Sequence, residues 1–273
     1  MGQLTISPSE LYARLGTPEA PIVLDVCKCE DYEVEARLVP TARWRDHRRV
    51  AEWAPELPHG RQIVTICVRG KKVSQSAAAE LRSMGFDAAA LEGGNEAWQA
   101  TGLPTVAKHL GIGNPAAGPS RWVTRTRPKI DRIACPWLIA RFIDPLARFF
   151  FVEPAEVVAA SRELDAIPYD VDGVVLTHRG ERASFDAFLD DFGIRDPALD
   201  RLATIIRGAD TARIELAPEA AGLLAISLGI SQLSGPDDHR ALEQGFAVYD
   251  ALYAWARFAS DETHNWPVAR KAV

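Results

Sequence analysis

Two stretches of this sequence hold residues able to do chemistry. In the first, the apolar run Ile63 to Ile66 leads into Cys67, which is followed by Val68, Arg69, Gly70, Lys71 and Lys72. A free cysteine titrates near about 8.5, so at neutral pH it attacks poorly unless its surroundings favour the thiolate. A tight loop turning into a helix N-terminus supplies such surroundings, because backbone N–H groups and the helix dipole both face the sulfur. Arg69, Lys71 and Lys72 add full charges that also suit an anionic donor, and Gly70 lets the loop curl. An inert core thiol is the alternative, but three cations and a glycine within five residues do not suit a core position. The chemistry that fits is sulfur transfer: a thiolate attacks a sulfane sulfur and carries it as a persulfide.

The second stretch, Arg121 to Arg132, packs five cations and one acid into twelve residues. Guanidinium forks match oxyanions, and an alternating strand would place Arg121, Arg125 and Arg127 on one face. Taken alone, the stretch reads better as a solvated edge strand with surface ion pairs. A competing metal site would use Asp131, His178 and Asp210, with Cys135 four residues after Asp131. Mixed oxygen, nitrogen and sulfur ligands suit zinc or iron, although Asp131 also fits as a helix cap ahead of Pro136. No tight ligand spacing links His178 to Asp210, so neither a metal nor another cofactor is assigned.

These groups need a scaffold. Ile22 to Val26, Ile63 to Val68 and Ala88 to Leu91 are short apolar runs of buried-strand type. Helical patterns fall between them, at Ser7 to Leu15 with Ser7 or Ser9 as cap, and at Val73 to Met84. Such alternation implies α/β architecture, a parallel sheet flanked by helices. Residues 111–120, GIGNPAAGPS, have linker composition and divide a domain at 1–110 from one at 121–273. The second domain reads as mainly helical α+β. Strands are expected at Arg121 to Thr126, Phe149 to Val152 and Val174 to Thr177. Helices are expected at Cys135 to Ile143, with Pro136 in the first turn, Ser184 to Phe192, Pro197 to Ile206, Pro218 to Leu228 and Asp237 to Phe258.

The first domain resembles the rhodanese sulfurtransferases over roughly residues 3–106. The resemblance lies in the Cys67 to Ser74 loop with its Ala-rich helix, and in Leu91 to Pro104, with Gly93, Gly94, Trp98 and the closing Gly102, Leu103 and Pro104. Val23 to Val26 and Val39-Pro40 match earlier elements. The resemblance implies Cys67 as the catalytic residue, with Arg69, Gly70, Lys71 and Lys72 binding the donor. Two departures stand out. Cys27 replaces the family's usual Arg, and Arg37-Leu38 replaces the Gly-His before the apolar-Pro pair. Cys27 also ends a parallel strand, which brings it near the Cys67 loop and permits a disulfide or sulfur relay, but the reading preferred for it is an ordinary solvent thiol. Phosphatases of this fold carry an Arg six residues after the Cys; Val73 stands there, so phosphoryl clamping is rejected.

Residues 121–262 resemble the C-terminal domain of the chromate-resistance ChrB family. The match is carried by Ile130 to Pro145, Thr177 to Asp186 and Tyr249 to Trp255. It implies an oxyanion-responsive site of Arg125, Arg132 and His178, with chromate or sulfate as ligand. Regulators of that family bind DNA through a separate N-terminal region; a rhodanese-type domain occupies that place, so no nucleic-acid partner is expected.

The chain has 273 residues, 47% apolar and 25% charged, with formal net charge −6. That is ordinary for a globular protein and gives no general pull toward nucleic acid or acidic membrane. Four cysteines are too few for a disulfide framework. No signal peptide, lipidation motif or membrane-length apolar run is visible, so a cytoplasmic protein without membrane partners is expected. The function expected is sulfur transfer from thiosulfate or a similar sulfur anion to a thiol or cyanide acceptor. The alternative is an oxyanion sensor whose rhodanese module turns over little.

Overall fold

The computed structural model describes residues 3–112, 114 and 118–262. Residues 113 and 115–117 of the expected linker therefore lie outside the described residues, as do 263–273. In the first half the chain runs β1 (Thr5–Ile6), α1 (Pro8–Arg14), β2 (Ile22–Asp25), α2 (Cys29–Val34), β3 (Arg37–Leu38) and β4 (Arg43–Trp44). It continues through α3 (Val50–Trp53), β5 (Ile63–Ile66), α4 (Lys72–Ser83), β6 (Ala88–Leu91), α5 (Gly94–Ala100) and β7 (Val106–Ala107).

β1, β6, β5, β2 and β4 form one sheet in that order, every neighbouring pair parallel. β5 and β6 are buried along their whole length, as expected for strands covered on both faces. One face packs Leu11 of α1 and Trp98 of α5 against Val23, Val64 and Leu91. The other packs Trp53 of α3 and Ala77, Ala78 and Leu81 of α4 against Leu24, Ile63 and Ala88. α1 starts where expected: the Ser7 hydroxyl accepts from the Glu10 amide at 3.2 Å, and the Glu10 carboxylate accepts from the Ser7 amide at 2.9 Å.

The second half comprises β8 (Arg121–Arg125), α6 (Asp131–Leu138), β9 (Arg148–Val152), α7 (Val157–Glu163), β10 (Ile167–Pro168), α8 (Ser184–Asp191), α9 (Pro197–Asp210), α10 (Ala220–Ser234) and α11 (Asp238–Phe258). β8 lies between β10 and β9, parallel to both. α7 covers one face through Val157 against Val123. On the other face Trp122, Trp137, Phe142, Phe185 and Phe188 join a large core with α9 and α11.

Three details differ from expectation. Val174 to Thr177 is not a strand; only Leu176 bridges to Tyr169, because it alone of the four side chains enters the core. The helix expected from Cys135 starts at Asp131, so Pro136 lies inside it, and residues 139–143 widen into a π turn closed by the Asp144 amide on the Ile139 carbonyl at 2.7 Å. Arg127 leaves the row of Arg121 and Arg125. β8 ends at Arg125, and Arg127 sits at φ 55° with its amide donating to Asp238 at 2.8 Å.

The two halves are docked. The Tyr12 and Tyr253 hydroxyls donate to the same Asp196 carboxylate oxygen, at 2.6 and 3.0 Å. Arg257 lies over the Tyr12 ring and donates to the carbonyls of Tyr12 and Leu15. Arg37 donates to the Thr105 hydroxyl and to the Gly193 carbonyl, both at 2.5 Å. The antiparallel pair β3–β7 continues the contact, since the Ala107 amide donates to the Phe192 carbonyl at 2.8 Å.

Candidate functional site

Cys67 follows β5, at the carboxyl end of the parallel sheet, where open α/β sheets place their chemistry. The loop after it is held by its carbonyls. Those of Cys67 and Val68 accept from the Asn95 and Glu96 amides at 3.0 Å each. These donors belong to the first turn of α5, which has no helical acceptors of its own for them. The Gly70 carbonyl accepts from the Gln75 side chain at 2.9 Å, and that of Lys71 from the Gln75 amide at 3.0 Å. Engaging the carbonyls fixes the peptide planes of the loop, and the Gly70 amide closes it on the Cys67 carbonyl at 3.4 Å.

Two glycines permit this closeness. A Cβ on Gly70, at φ 60°, would lie 2.4 Å from the Leu91 carbonyl oxygen. A Cβ on Gly94, at φ 62°, would lie 1.9 Å from the Cys67 carbonyl oxygen. The expectation for Gly70 concerned the curl of the loop; Gly94 is the position that sequence reasoning passed over, although it stands in the quoted Gly93-Gly94 pair.

Cys67 is only 6% exposed, and its sulfur lies 3.1 Å from the Ser74 hydroxyl in the first turn of α4. Lys71 and Lys72 are exposed at the loop exit. Arg69 also points outward, paired with exposed Glu96 at 3.0 Å. Cys27 is buried in the same small cluster as Cys67, together with Tyr32 and Leu38, and all four cysteines are free. Burial pushes the Cys27 thiol well up, and neighbouring Asp25 pushes it further, so Cys27 is held protonated. Asp25 itself is buried and raised by that burial, accepting from the Cys27 amide and the Asn95 side chain at 3.0 Å each. The Lys108 ammonium sits over the Tyr32 ring at 3.9 Å, in the field of Asp25 and Cys27.

In the second half, Arg125, Arg132 and His178 are brought together, but with three carboxylates among them. Arg125 and Arg132 both face Asp170, at 3.0 and 3.3 Å. The His178 Nε2 lies 3.1 Å from Asp210, 3.3 Å from Asp131 and 3.5 Å from Asp170. These hydrogen-bonding carboxylates raise the imidazole strongly, against the effect of its partial burial. Burial alone would raise Asp170, but hydrogen bonds from His178, Ser184 and Arg125 outweigh it and hold Asp170 low. Fully buried Asp131 is raised, chiefly by loss of water.

Asp131 caps a helix, though not its own. Its carboxylate accepts from the Ser184 and Phe185 amides at 2.5 and 3.1 Å, the first two residues of α8. Asp170 follows β10 at φ 52° and was missed in the sequence. The signal that could have found it is the acid-rich turn Tyr169 to Gly173 after a short apolar run. Arg125, Asp170 and His178, with Thr177 and Asp172, line a cleft of about 310 Å³. Arg132 does not line it; Arg132 is turned inward, donating to the Thr126 carbonyl at 2.9 Å.

A cysteine loop at the end of a parallel sheet, docked to a small α+β unit with an Asp–His–Arg cluster, defines a two-domain protein whose first half has the sulfurtransferase-type fold. Comparison with known families agrees: residues 7–101 match the rhodanese-like domain, and residues 122–256 match the ChrB C-terminal domain. The chain therefore carries a rhodanese-like domain followed by a ChrB C-terminal domain. Protein ChrB of Cupriavidus metallidurans is 39% identical over 134 residues, which cover 49% of this chain and 40% of that protein. This chain thus matches well under half the length of that relative. Among solved structures, thiosulfate sulfurtransferase of Pseudomonas aeruginosa is 30% identical, covering 38% of this chain and 19% of that one at a TM-score of 0.34. A rhodanese-related protein of Thermoplasma volcanium is 23% identical, covering 39% of this chain and all of its own, also at 0.34. No helix among the described residues is long and apolar enough to cross a membrane.

Proposed function

We propose that this protein is a sulfurtransferase that carries sulfane sulfur on Cys67. The observation behind this is the Cys67 loop at the carboxyl end of the parallel sheet, whose carbonyls are taken up by α5 and by Gln75 and whose cysteine sulfur lies 3.1 Å from the Ser74 hydroxyl. The Cys67 thiolate attacks the sulfane sulfur of thiosulfate or a similar anion. A sulfur–sulfur bond forms, the donor's bond breaks, and sulfite leaves with the electron pair. A thiolate or cyanide acceptor then attacks the outer sulfur and Cys67 departs as thiolate. Lys71 and Lys72 attract the donor, and the loop amides hold it. Cys27, kept as a thiol, takes no part. The test is thiosulfate:cyanide turnover: thiocyanate forms with the wild-type chain and is lost with Cys67→Ser, which retains the fold by circular dichroism. Turnover by Cys67→Ser at more than a tenth of the wild-type rate refutes the assignment.

For the second domain we propose a response to a small oxyanion such as chromate or sulfate, received in the cleft where the Arg125 guanidinium and His178 are both accessible. Arg132 supports it from behind by sharing the charge of Asp170. The setting of both activities is the cytoplasm.

A further inference from the structure

We propose that Asp131, Asp170 and His178, whose ligand atoms lie within 4.8 Å of one another, bind one divalent first-row metal ion beside the cleft of about 310 Å³ that Asp170 and His178 line, with Asp210, 3.1 Å from His178, as a further ligand. The proposal shares His178 with the oxyanion reading but rests on the carboxylates around that residue.

The first observation is an excess of acceptors around one nitrogen. Three carboxylate oxygens, from Asp210, Asp131 and Asp170, converge on His178 Nε2 at 3.1, 3.3 and 3.5 Å. An imidazole Nε2 carries at most one N–H, so it cannot satisfy three acceptors. The spacing instead matches a coordination sphere. Metal–ligand bonds of about 2.0–2.1 Å place neighbouring ligand atoms about 2.8–3.0 Å apart in octahedral and about 3.3–3.4 Å apart in tetrahedral geometry.

The second observation is that the carboxylates are already oriented. The Ser184 and Phe185 amides fix Asp131. The Ser184 hydroxyl, at 2.7 Å, and the two arginines fix Asp170. The Asp131 amide faces the other Asp210 oxygen at 3.5 Å. Outer contacts of this kind hold ligands in register for an ion. The third is Tyr169. Its side chain is fully buried, and its hydroxyl has no hydrogen-bond partner, although it sits in the field of Cys135, Asp170, Arg132 and Asp131. A buried hydroxyl without a partner is costly, and a metal-bound water beside these groups would satisfy it. Access comes through His178, whose side chain is 37% exposed while Asp131 is 1% exposed.

Carboxylates with one imidazole favour manganese, iron or zinc over soft ions. Mn²⁺ is the cleaner probe, since thiolates such as that of Cys67 compete poorly for it. The full chain, stripped with a chelator, is titrated with MnCl₂ and free Mn²⁺ is read by electron paramagnetic resonance. The expected result is one saturable site per chain, unchanged in Cys67→Ser and weakened at least tenfold in His178→Ala and in Asp210→Asn. Both variants are checked for fold by circular dichroism. Asp238→Asn, outside the cluster, serves as a control and binds as wild type. Absence of a saturable Mn²⁺ or Zn²⁺ site at millimolar metal overturns the proposal. So does binding that folded His178→Ala and Asp210→Asn retain at wild-type strength.

Discussion

Gly94→Ala tests how the sulfur-transfer loop is built. The added Cβ would lie 1.9 Å from the Cys67 carbonyl oxygen, 2.4 Å from the Gly70 amide nitrogen and 2.9 Å from the Val68 carbonyl oxygen. All three are backbone atoms of the loop, so no side chain can swing aside. Restoring an ordinary 3.4 Å contact with the Cys67 oxygen requires a relative shift of about 1.5 Å between α5 and the loop. Misplacement of reacting groups by about 1 Å costs on the order of 10²-fold in rate. Thiosulfate:cyanide kcat/KM should therefore fall at least about 100-fold. Stability should fall as well: about 1–2 kcal/mol for a non-glycine residue at φ 62° and about 1–3 kcal/mol for overpacking. Gly85→Ala separates the two causes. Gly85 has φ 90° and nothing within 4 Å of its Cβ position, so it pays only the backbone term and should keep its turnover. Urea unfolding gives the stabilities, and turnover is measured where both variants are folded. Folded Gly94→Ala within threefold of wild-type kcat/KM would show that loop closure does not position Cys67.

Two further changes probe the rest of the molecule. Arg37→Ala removes the donors to Thr105 and Gly193; charged hydrogen bonds are worth about 1.5–3 kcal/mol, so urea unfolding should show a loss of about 2 kcal/mol or a separate transition for one domain, and an unchanged single transition would mean that Arg37 does not hold the halves together. Arg125→Ala removes the accessible guanidinium of the second cleft, so sulfate affinity measured by calorimetry should drop about tenfold; equal sulfate binding by wild type and variant would place the oxyanion elsewhere.

The first site was legible because its parts are contiguous. Strand, cysteine, cationic loop and helix follow one another from Ile63 to Ser83, so local patterns carry the geometry. Even there, the outward turn of Arg69 toward Glu96 was invisible, because that partner comes from α5, 27 positions along. The second site is assembled from four separate segments, around residues 131, 170, 178 and 210. Asp131 and Asp210 come from opposite ends of two helices, and Asp170 from a left-handed turn position. Nothing in their spacing connects them until β8 and β10 pair and α8 starts on Asp131. The same cause explains Val174 to Thr177. Its β-branched run resembles a strand, but only Leu176 finds a pairing partner and a core.

The departures from the rhodanese pattern acquire a physical meaning once the second domain is in place. Arg37 stands where the family carries a different residue, and it spends its guanidinium on Thr105 and on the Gly193 turn of the second domain. The carbonyl of Gly193 is reachable because a side chain there would meet the Arg37 guanidinium at 2.8 Å. Gly16 plays the matching part at the other end of the interface: a Cβ would lie 2.4 Å from the Tyr253 ring, and Tyr253 shares Asp196 with Tyr12. Asp196 also caps α9 through the Ala198 and Leu199 amides, at 2.8 and 3.2 Å. α9 ends at Asp210, one of the three carboxylates around His178. A continuous helix, anchored to the rhodanese-like domain at its N-cap, thus delivers a carboxylate to the second site at its last residue.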